Sequence, residues 1–293
     1  MFKDYFYIIN FFKIFIEDKL AFIFLLILLF LIIIIIFGPL FVLQNPYDLS
    51  QLNIMDSVMP PFSLSIEEKI FYLGTDDQGR DLLSAIIYGL RISLFVGLVS
   101  VAIALVIGSS LGVIGAYFGG IIDSIIMRIA DLILGLPSFL IALVFLSILG
   151  RGLENVIFAL VMSQWATFAR VVRGSALVEK EKDYFLAAKC LVIPEKRIVF
   201  GHLLPNCLPP LIVLATINLA FAITLEASLS FLGVGLPITE PSLGLLIANG
   251  YEYIISGKYW ISVYPGLFLL ITVVSINVFA DRLRIILNPR LNK

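Results

Sequence analysis

Residues 20–43 read LAFIFLLILLFLIIIIIFGPLFVL, a stretch without a single charged side chain. A helix needs roughly 20 apolar residues to cross the hydrocarbon core of a bilayer, and this run exceeds that. It is too long for a cleavable leader, and a segment of mixed charge precedes it. The rest of the chain agrees with this reading. Of its 293 residues 60% are hydrophobic and 14% charged, and the mean hydropathy is +1.07. Soluble domains carry closer to a quarter charged residues. The fold class is therefore all-α and polytopic. In lipid every backbone polar group must be satisfied internally, and the strand alternation of a barrel is missing.

Working outward, hydropathy places six transmembrane helices near Leu20–Leu43, Ser93–Phe118, Leu134–Leu149, Leu153–Phe168, Leu208–Leu229 and Val263–Phe279, the third starting near Ile125 if Arg128 and Asp131 sit at the interface. Lys and Arg set the orientation. With the N-terminus inside, only Lys69, Arg80, Arg91, Arg151 and Lys258 lie outside, against the other fifteen of the 20 basic residues. The positive-inside rule thus puts both termini in the cytoplasm. Cys190 and Cys207 fall on that reducing side, so no disulfide framework is implied. One histidine and two cysteines count against an N/S-ligated metal centre. His202 reads as a residue packed on the turn at Pro205 and Asn206.

The chain divides into residues 1–92, comprising a cytoplasmic segment, the first span and an extracytoplasmic loop, then a core over 93–285 with a cytoplasmic loop at 170–206, then a tail at 286–293. Between the first two spans, Leu82-Leu-Ser-Ala-Ile-Ile-Tyr-Gly reads as an amphipathic helix lying in the interface. The loop 170–206 holds a polar island, Asp183-Tyr-Phe-Leu-Ala-Ala-Lys, followed by Gly201-His-Leu-Leu-Pro-Asn206. Asp183 is placed to start a short helix, and Tyr184, Ala187, Ala188 and Leu191 would form one side for a cytoplasmic protein, with Lys196 and Arg197 at the rim. An ordinary basic loop is the plainer reading. Within the spans, Gln164, Asn218, Glu226 and Asn277 are costly in lipid and are the candidates to line a pathway. Glu226 could equally lie near the outer interface or pair with another subunit. Arg128 and Asp131, three residues apart, read as an interfacial ion pair. Gly108, Ser109, Ser110, Gly112 and Gly115 suit close helix packing.

Three stretches resemble the dipeptide/oligopeptide group of ABC-transporter permeases. They are Leu73-Gly-Thr-Asp-Asp-Gln-Gly-Arg-Asp-Leu-Leu83, matching a GTD-x-x-GRD segment; the polar island, matching the EAA loop; and Ser230-Phe-Leu-Gly-Val-Gly235 with Pro241-Ser-Leu-Gly244, Tyr264-Pro-Gly266 and Asn288-Pro-Arg-Leu291. The EAA pattern departs at Leu186, where the family has Glu, and at Val192, where it has Gly. The resemblance implies the ABC importer permease fold and a place in a bacterial inner membrane. It implies a second homologous permease, two cytoplasmic ATPase subunits that bind ATP and Mg²⁺, and an extracytoplasmic binding protein, with lipid around and no nucleic acid. Asp183, Tyr184, Ala187, Ala188, Leu191, Lys196 and Arg197 would then couple to an ATPase. Gly74, Thr75, Asp76, Gly79, Arg80 and Asp81 would shape or gate the outer mouth, though a Gly-permitted turn capping a helix explains the same residues. The chain has no Gly-x-x-x-x-Gly-Lys-Ser/Thr phosphate loop, so no enzymatic activity and no bound cofactor are expected of it. The solute could be a peptide, a nickel chelate or another small molecule. An ion-coupled secondary transporter and a membrane scaffold are the readings outside the family.

Overall fold

The computed structural model describes residues 18–65, 68–191 and 193–287. The tail beyond residue 287, the first basic residues Lys3 and Lys13, and Val192 lie outside them. Helix α1 is Lys19–Phe37, and the Asp18 carboxylate accepts from the amides of Leu20 and Ala21 at its start. It closes in a short turn at Gly38–Leu40, where Pro39 cannot continue the ladder. A loop follows with a small antiparallel hairpin, β1 (Ser63–Leu64) and β2 (Ile70–Phe71), in which Ser63 opposes Phe71.

Helix α2 runs unbroken from Leu82 to Phe118, 37 residues, or about 55 Å at 1.5 Å per residue. This corrects the expectation of a separate interfacial helix at Leu82–Gly89. Those residues are the first turns of α2, and Leu82, Ala85, Ile86 and Leu90 are buried against Leu31, Leu243, Leu246 and Ile261. Their apolar face meets protein instead of lipid headgroups.

Helices α3 (Gly120–Leu134) and α4 (Ser138–Leu149) meet at 91°. Pro137 disfavours helix for the residue before it and lacks an N–H, so the chain turns there. The expected third span at Leu134–Leu149 therefore coincides with α4, which at 12 residues is long enough to cross only as one half of a bent pair with α3. Helix α5 extends from Leu153 to Glu179, α6 is Asp183–Cys190, α7 is Leu208–Phe231, α8 is Leu243–Tyr251 and α9 is Trp260–Leu287. Among the described residues five helices are long and apolar enough to cross a membrane, or six if α3 and α4 form one bent span.

The spine of the core is α2 against α5. A Cβ at Gly108 would strike the Trp165 carbonyl, and one at Gly112 the Ala169 carbonyl. Only glycine lets the two backbones approach this closely, which is how helices associate where lipid gives no hydrophobic drive. Around this line pack Val101, Ala104, Phe168, Val172 and, from α7, Ala222.

Candidate functional site

One end of the bundle is organised by charge. Arg173 on α5 donates from Nε and a terminal nitrogen to both oxygens of Asp123 on α3, each at 2.6 Å. Arg170, one turn earlier, pairs with Asp131. Arg128 is exposed, so the expected Arg128–Asp131 pairing is corrected. The same-helix spacing was available, but α5 brings a guanidinium to Asp131. Lys180 Nζ donates to the carbonyls of Ala116 and Tyr117 at 2.6 and 3.2 Å. These are among the carbonyls that a helix end leaves without partners, and a cation there also complements the helix dipole.

Helix α6 is seated on this end. Phe185 is 1% exposed, Ala188 is buried beside it, and Tyr184 is half-buried. The Phe185 ring meets Tyr117 edge-on at 6.3 Å, and Lys189 Nζ stands 5.2 Å from the Phe185 centroid. Tyr184 donates to Glu179 Oε2 at 2.9 Å while Lys182 holds Oε1 at 2.6 Å. Burial and Glu179 push the Tyr184 hydroxyl up to about 12. The expected single docking side is corrected: Tyr184 and Ala188 face the bundle, while Ala187 and Leu191 face away, because α6 turns its Phe185–Ala188 edge to Tyr117. The outward row is Asp183, Leu186, Ala187, Cys190 and Leu191, with Leu191 74% exposed. These positions recur at three- and four-residue intervals and form one stripe. Lys196 and Arg197 are exposed in the turn Glu195–Arg197, which Pro194 introduces. His202 lies in a wide helical turn, its carbonyl accepting from Asn206.

The opposite end is closed by the loop before α2 and by α8. Asp76 and Arg80 form a buried ion pair at 2.6 Å, and Asp76 also accepts from the amides of Gln78 and Arg80. Thr75 Oγ1 donates to the Asp56 carbonyl at 2.5 Å and accepts from Met59 N at 2.7 Å. Asp81 caps α2 through the amide and hydroxyl of Ser84, and its own amide donates to Gln44 Oε1 at 2.8 Å. Burial pushes the Asp81 carboxyl up against these bonds. Gly79, at φ 75°, lies against the Asn53 carbonyl, where a side chain has no room. Thr75, Asp76, Arg80 and Asp81 are all enclosed. The segment staples the loop to α2 and presents little of itself as a lining.

Helix α8 sits on α7 at a contact where a Cβ on Gly244 would overlap the Ala227 backbone. The residue next to Ala227 is Glu226, fully enclosed, accepting from Ser93 Oγ on α2 at 2.7 Å and from Ser230 Oγ at 2.8 Å, with the Ser242 hydroxyl beside it. Glu226 is thus a tie inside the chain, not a wall of an open pathway. Gln164 is buried in α5, with both amide atoms lacking a partner among the described residues. Asn218 is buried and donates to the Leu214 carbonyl at 2.9 Å, and Asn277 is exposed on α9. Sequence reasoning missed Ser93 and Ser242 as partners of Glu226, and Tyr117 as the seat of α6. A serine or tyrosine in an apolar run carries no signal of the helix it will face.

A family model described as the inner membrane component of binding-protein-dependent transport systems matches residues 104–293. The chain belongs to this family. A second model, the N-terminal transmembrane domain of oligopeptide transport permease C, matches residues 7–61 of the permease. It is 37% identical over 248 residues to the dipeptide transport system permease protein DppC of Haemophilus influenzae, covering 85% of this chain and 84% of that one. It is 36% identical over 277 residues to the oligopeptide transport system permease protein OppC of Bacillus subtilis, covering 94% and 88%. Among solved structures, an inward-facing form of the MetNI methionine ABC transporter matches 69% of the permease and 96% of that chain, with a TM-score of 0.52 at 23% identity. That likeness concerns the fold: the permease is an all-α, multi-pass inner-membrane protein built as an ABC importer permease.

Proposed function

We propose that the permease forms half of the translocation pathway of an ATP-driven importer of di- or oligopeptides, beside a second homologous permease. Two ATPase subunits, holding ATP and Mg²⁺, would work on the α6 end; the distribution of basic residues supports a cytoplasmic side for that end and for both termini. An extracytoplasmic binding protein would deliver solute to the α8 end. The chain itself would do no covalent chemistry and bind no cofactor.

The observation that carries the reading is α6. It is a short surface helix whose inner edge is locked to the end of α2 and whose outer stripe exposes Leu186, Ala187 and Leu191. Such a stripe suits a groove on a partner protein. Displacing α6 would load Phe185 on Tyr117 and, through Lys180, the carbonyl end of α2; the Arg173–Asp123 fork would carry the load to α3. The glycine-packed α2–α5 spine would move as a unit and tilt the α8 end. Leu186 in place of an acid makes the proposed contact more apolar, which asks for a groove of matching character.

The test is a detergent pull-down of the tagged chain, with partners identified by mass spectrometry, ATPase activity assayed on the eluate and labelled Ala-Ala uptake measured in cells. Recovery of a second permease and phosphate-loop ATPases, with peptide uptake that needs this chain, is expected. A folded chain that purifies alone without ATPase activity would sink the proposal.

A further inference from the structure

Two cavities share one exposed stripe of α2. The first, about 320 Å³, lies near the α8 end and is bounded by Tyr47, Tyr88, Arg91, Phe95 and Glu240. The second, about 450 Å³, lies further along the bundle between α1, α2, α7 and α9. Leu28, Leu98, Ala102, Ile212 and Ile276 stand in its wall. Arg91, Phe95, Leu98 and Ala102 are all exposed, and their steps of four, three and four residues put them on one face. The stripe therefore leads from one cavity into the other. From Arg91 to Ala102 it runs about 16 Å, at 1.5 Å per residue. That length matches one leaflet, half of a hydrocarbon core about 30 Å thick.

The first cavity carries two opposite charges. Both bear on the Tyr47 hydroxyl: burial, then Glu240 and Tyr88, push it up, and Arg91 acts against them. Yet among the described residues no ion pair and no side-chain hydrogen bond engages Arg91 or Glu240. Beside them Tyr47 and Tyr88 meet edge-on at 5.4 Å. A guanidinium suits a phosphate, while a carboxylate and an aromatic face suit an ammonium group. Tyrosines also favour the membrane–water boundary. The second cavity asks for nothing polar. The polar residue in its wall, Thr216, already donates to the Ile212 carbonyl at 2.9 Å, and the other side chains there are apolar. A zwitterionic headgroup on an apolar tail satisfies both cavities. A short peptide has the charges without the tail, and an anionic lipid meets Glu240 with like charge.

We propose that the two cavities together hold one phospholipid of the ethanolamine type, from the leaflet on the α8 side. Arg91 takes its phosphate, and Glu240 with the tyrosine pair takes its ammonium. One acyl chain follows Phe95 and Leu98 into the groove beside Ala102. The lipid fills the seam that α1, α2, α7 and α9 leave between them.

The test is native mass spectrometry of the full chain released from nanodiscs of equal parts phosphatidylethanolamine and phosphatidylglycerol. The wild type is expected to retain phosphatidylethanolamine at least about fivefold over phosphatidylglycerol, the effect of one charge-assisted contact. Arg91→Gln should lower retention of phosphatidylethanolamine about fivefold, and Glu240→Gln should erase the preference between the two lipids. Ala102→Trp fills the groove at an exposed position and should lower retention of both. Absence of retained lipid on the wild type, equal retention of the two lipids, or variants that retain phosphatidylethanolamine as the wild type does would overturn the site. Displacement of the lipid by Ala-Ala would also overturn it, since the charge pair would then belong to a peptide. Photocrosslinking in native membranes from Leu98→p-benzoylphenylalanine separates a lipid from a neighbouring subunit. The crosslink is expected on phospholipid, and a crosslink onto another polypeptide in its place would overturn the proposal.

Discussion

Ser93 Oγ on α2 donates to Glu226 Oε2 on α7 at 2.7 Å, joining residues 133 positions apart in the bundle interior. The other carboxylate oxygen accepts from Ser230, and Ser242 at the start of α8 closes the group. Three elements therefore share one carboxyl group.

Removing that group should loosen all three. Glu226→Ala leaves buried hydroxyls without an acceptor and is expected to cost on the order of 2–3 kcal/mol. Glu226→Gln keeps an acceptor and should cost less. Thermal unfolding of the purified chain, followed by tryptophan fluorescence, orders the two; equal Tm values would mean the carboxyl group does not hold α8.

The seat of α8 depends on the absence of a side chain. Gly244→Val drives two methyls into the Ala227 backbone, and overpacking of this kind costs about 1–3 kcal/mol or more. Limited proteolysis from the α8 side should cut this variant faster than wild type near residues 252–258. Unchanged cleavage would contradict the contact.

Ala187 and Ala188 are adjacent but do different work. Ala188→Leu should unseat α6 from Tyr117 and lower thermal stability, since the site is packed. Ala187→Glu and Leu191→Glu lie on the outward stripe, so stability should change by no more than about 0.5 kcal/mol. Co-purification of ATPases with either outward variant should fall about tenfold. A drop in stability for Leu191→Glu, or full ATPase recovery, would refute the assignment of faces.

The two thiols should differ in reactivity. Cys190 is exposed and Cys207 buried, and burial pushes Cys207 up to about 11. Only the thiolate reacts, so maleimide at pH 8 should label Cys190 and spare Cys207. The sign of the linkage follows: between the ordinary thiol range near 9 and about 11 the unfolded chain has lost this proton while the folded chain keeps it. Folding stability should therefore fall as pH rises through that window, and Cys207→Ser should flatten the dependence.

The Arg173–Asp123 fork is partly exposed, so its stabilisation is modest, below about 1 kcal/mol. Its geometry matters more for transmission. Arg173→Lys loses the two-point grip and is expected to reduce ATP-driven uptake while leaving Tm within a degree or two. The swap Asp123→Arg with Arg173→Asp should recover part of the loss; no recovery would place the defect elsewhere.

Class, spans and family were legible in the chain itself. The charge-free run at 20–43, the distribution of basic residues and the order of the quoted motifs depend on local composition, and bilayer thickness converts composition directly into helices. The elbow between α3 and α4 was only half legible: Pro137 marks the break, but the 91° turn depends on α5 receiving α3. Tertiary structure alone decided which side of α6 faces out, that Asp131 meets Arg170 and not Arg128, and that Glu226 and the Asp76–Arg80 pair are enclosed. Helical spacing shows which side chains share a face but not what that face will meet. For Asp123 and Arg173 the partner is 50 residues away, and only the packed helices bring the two charges together.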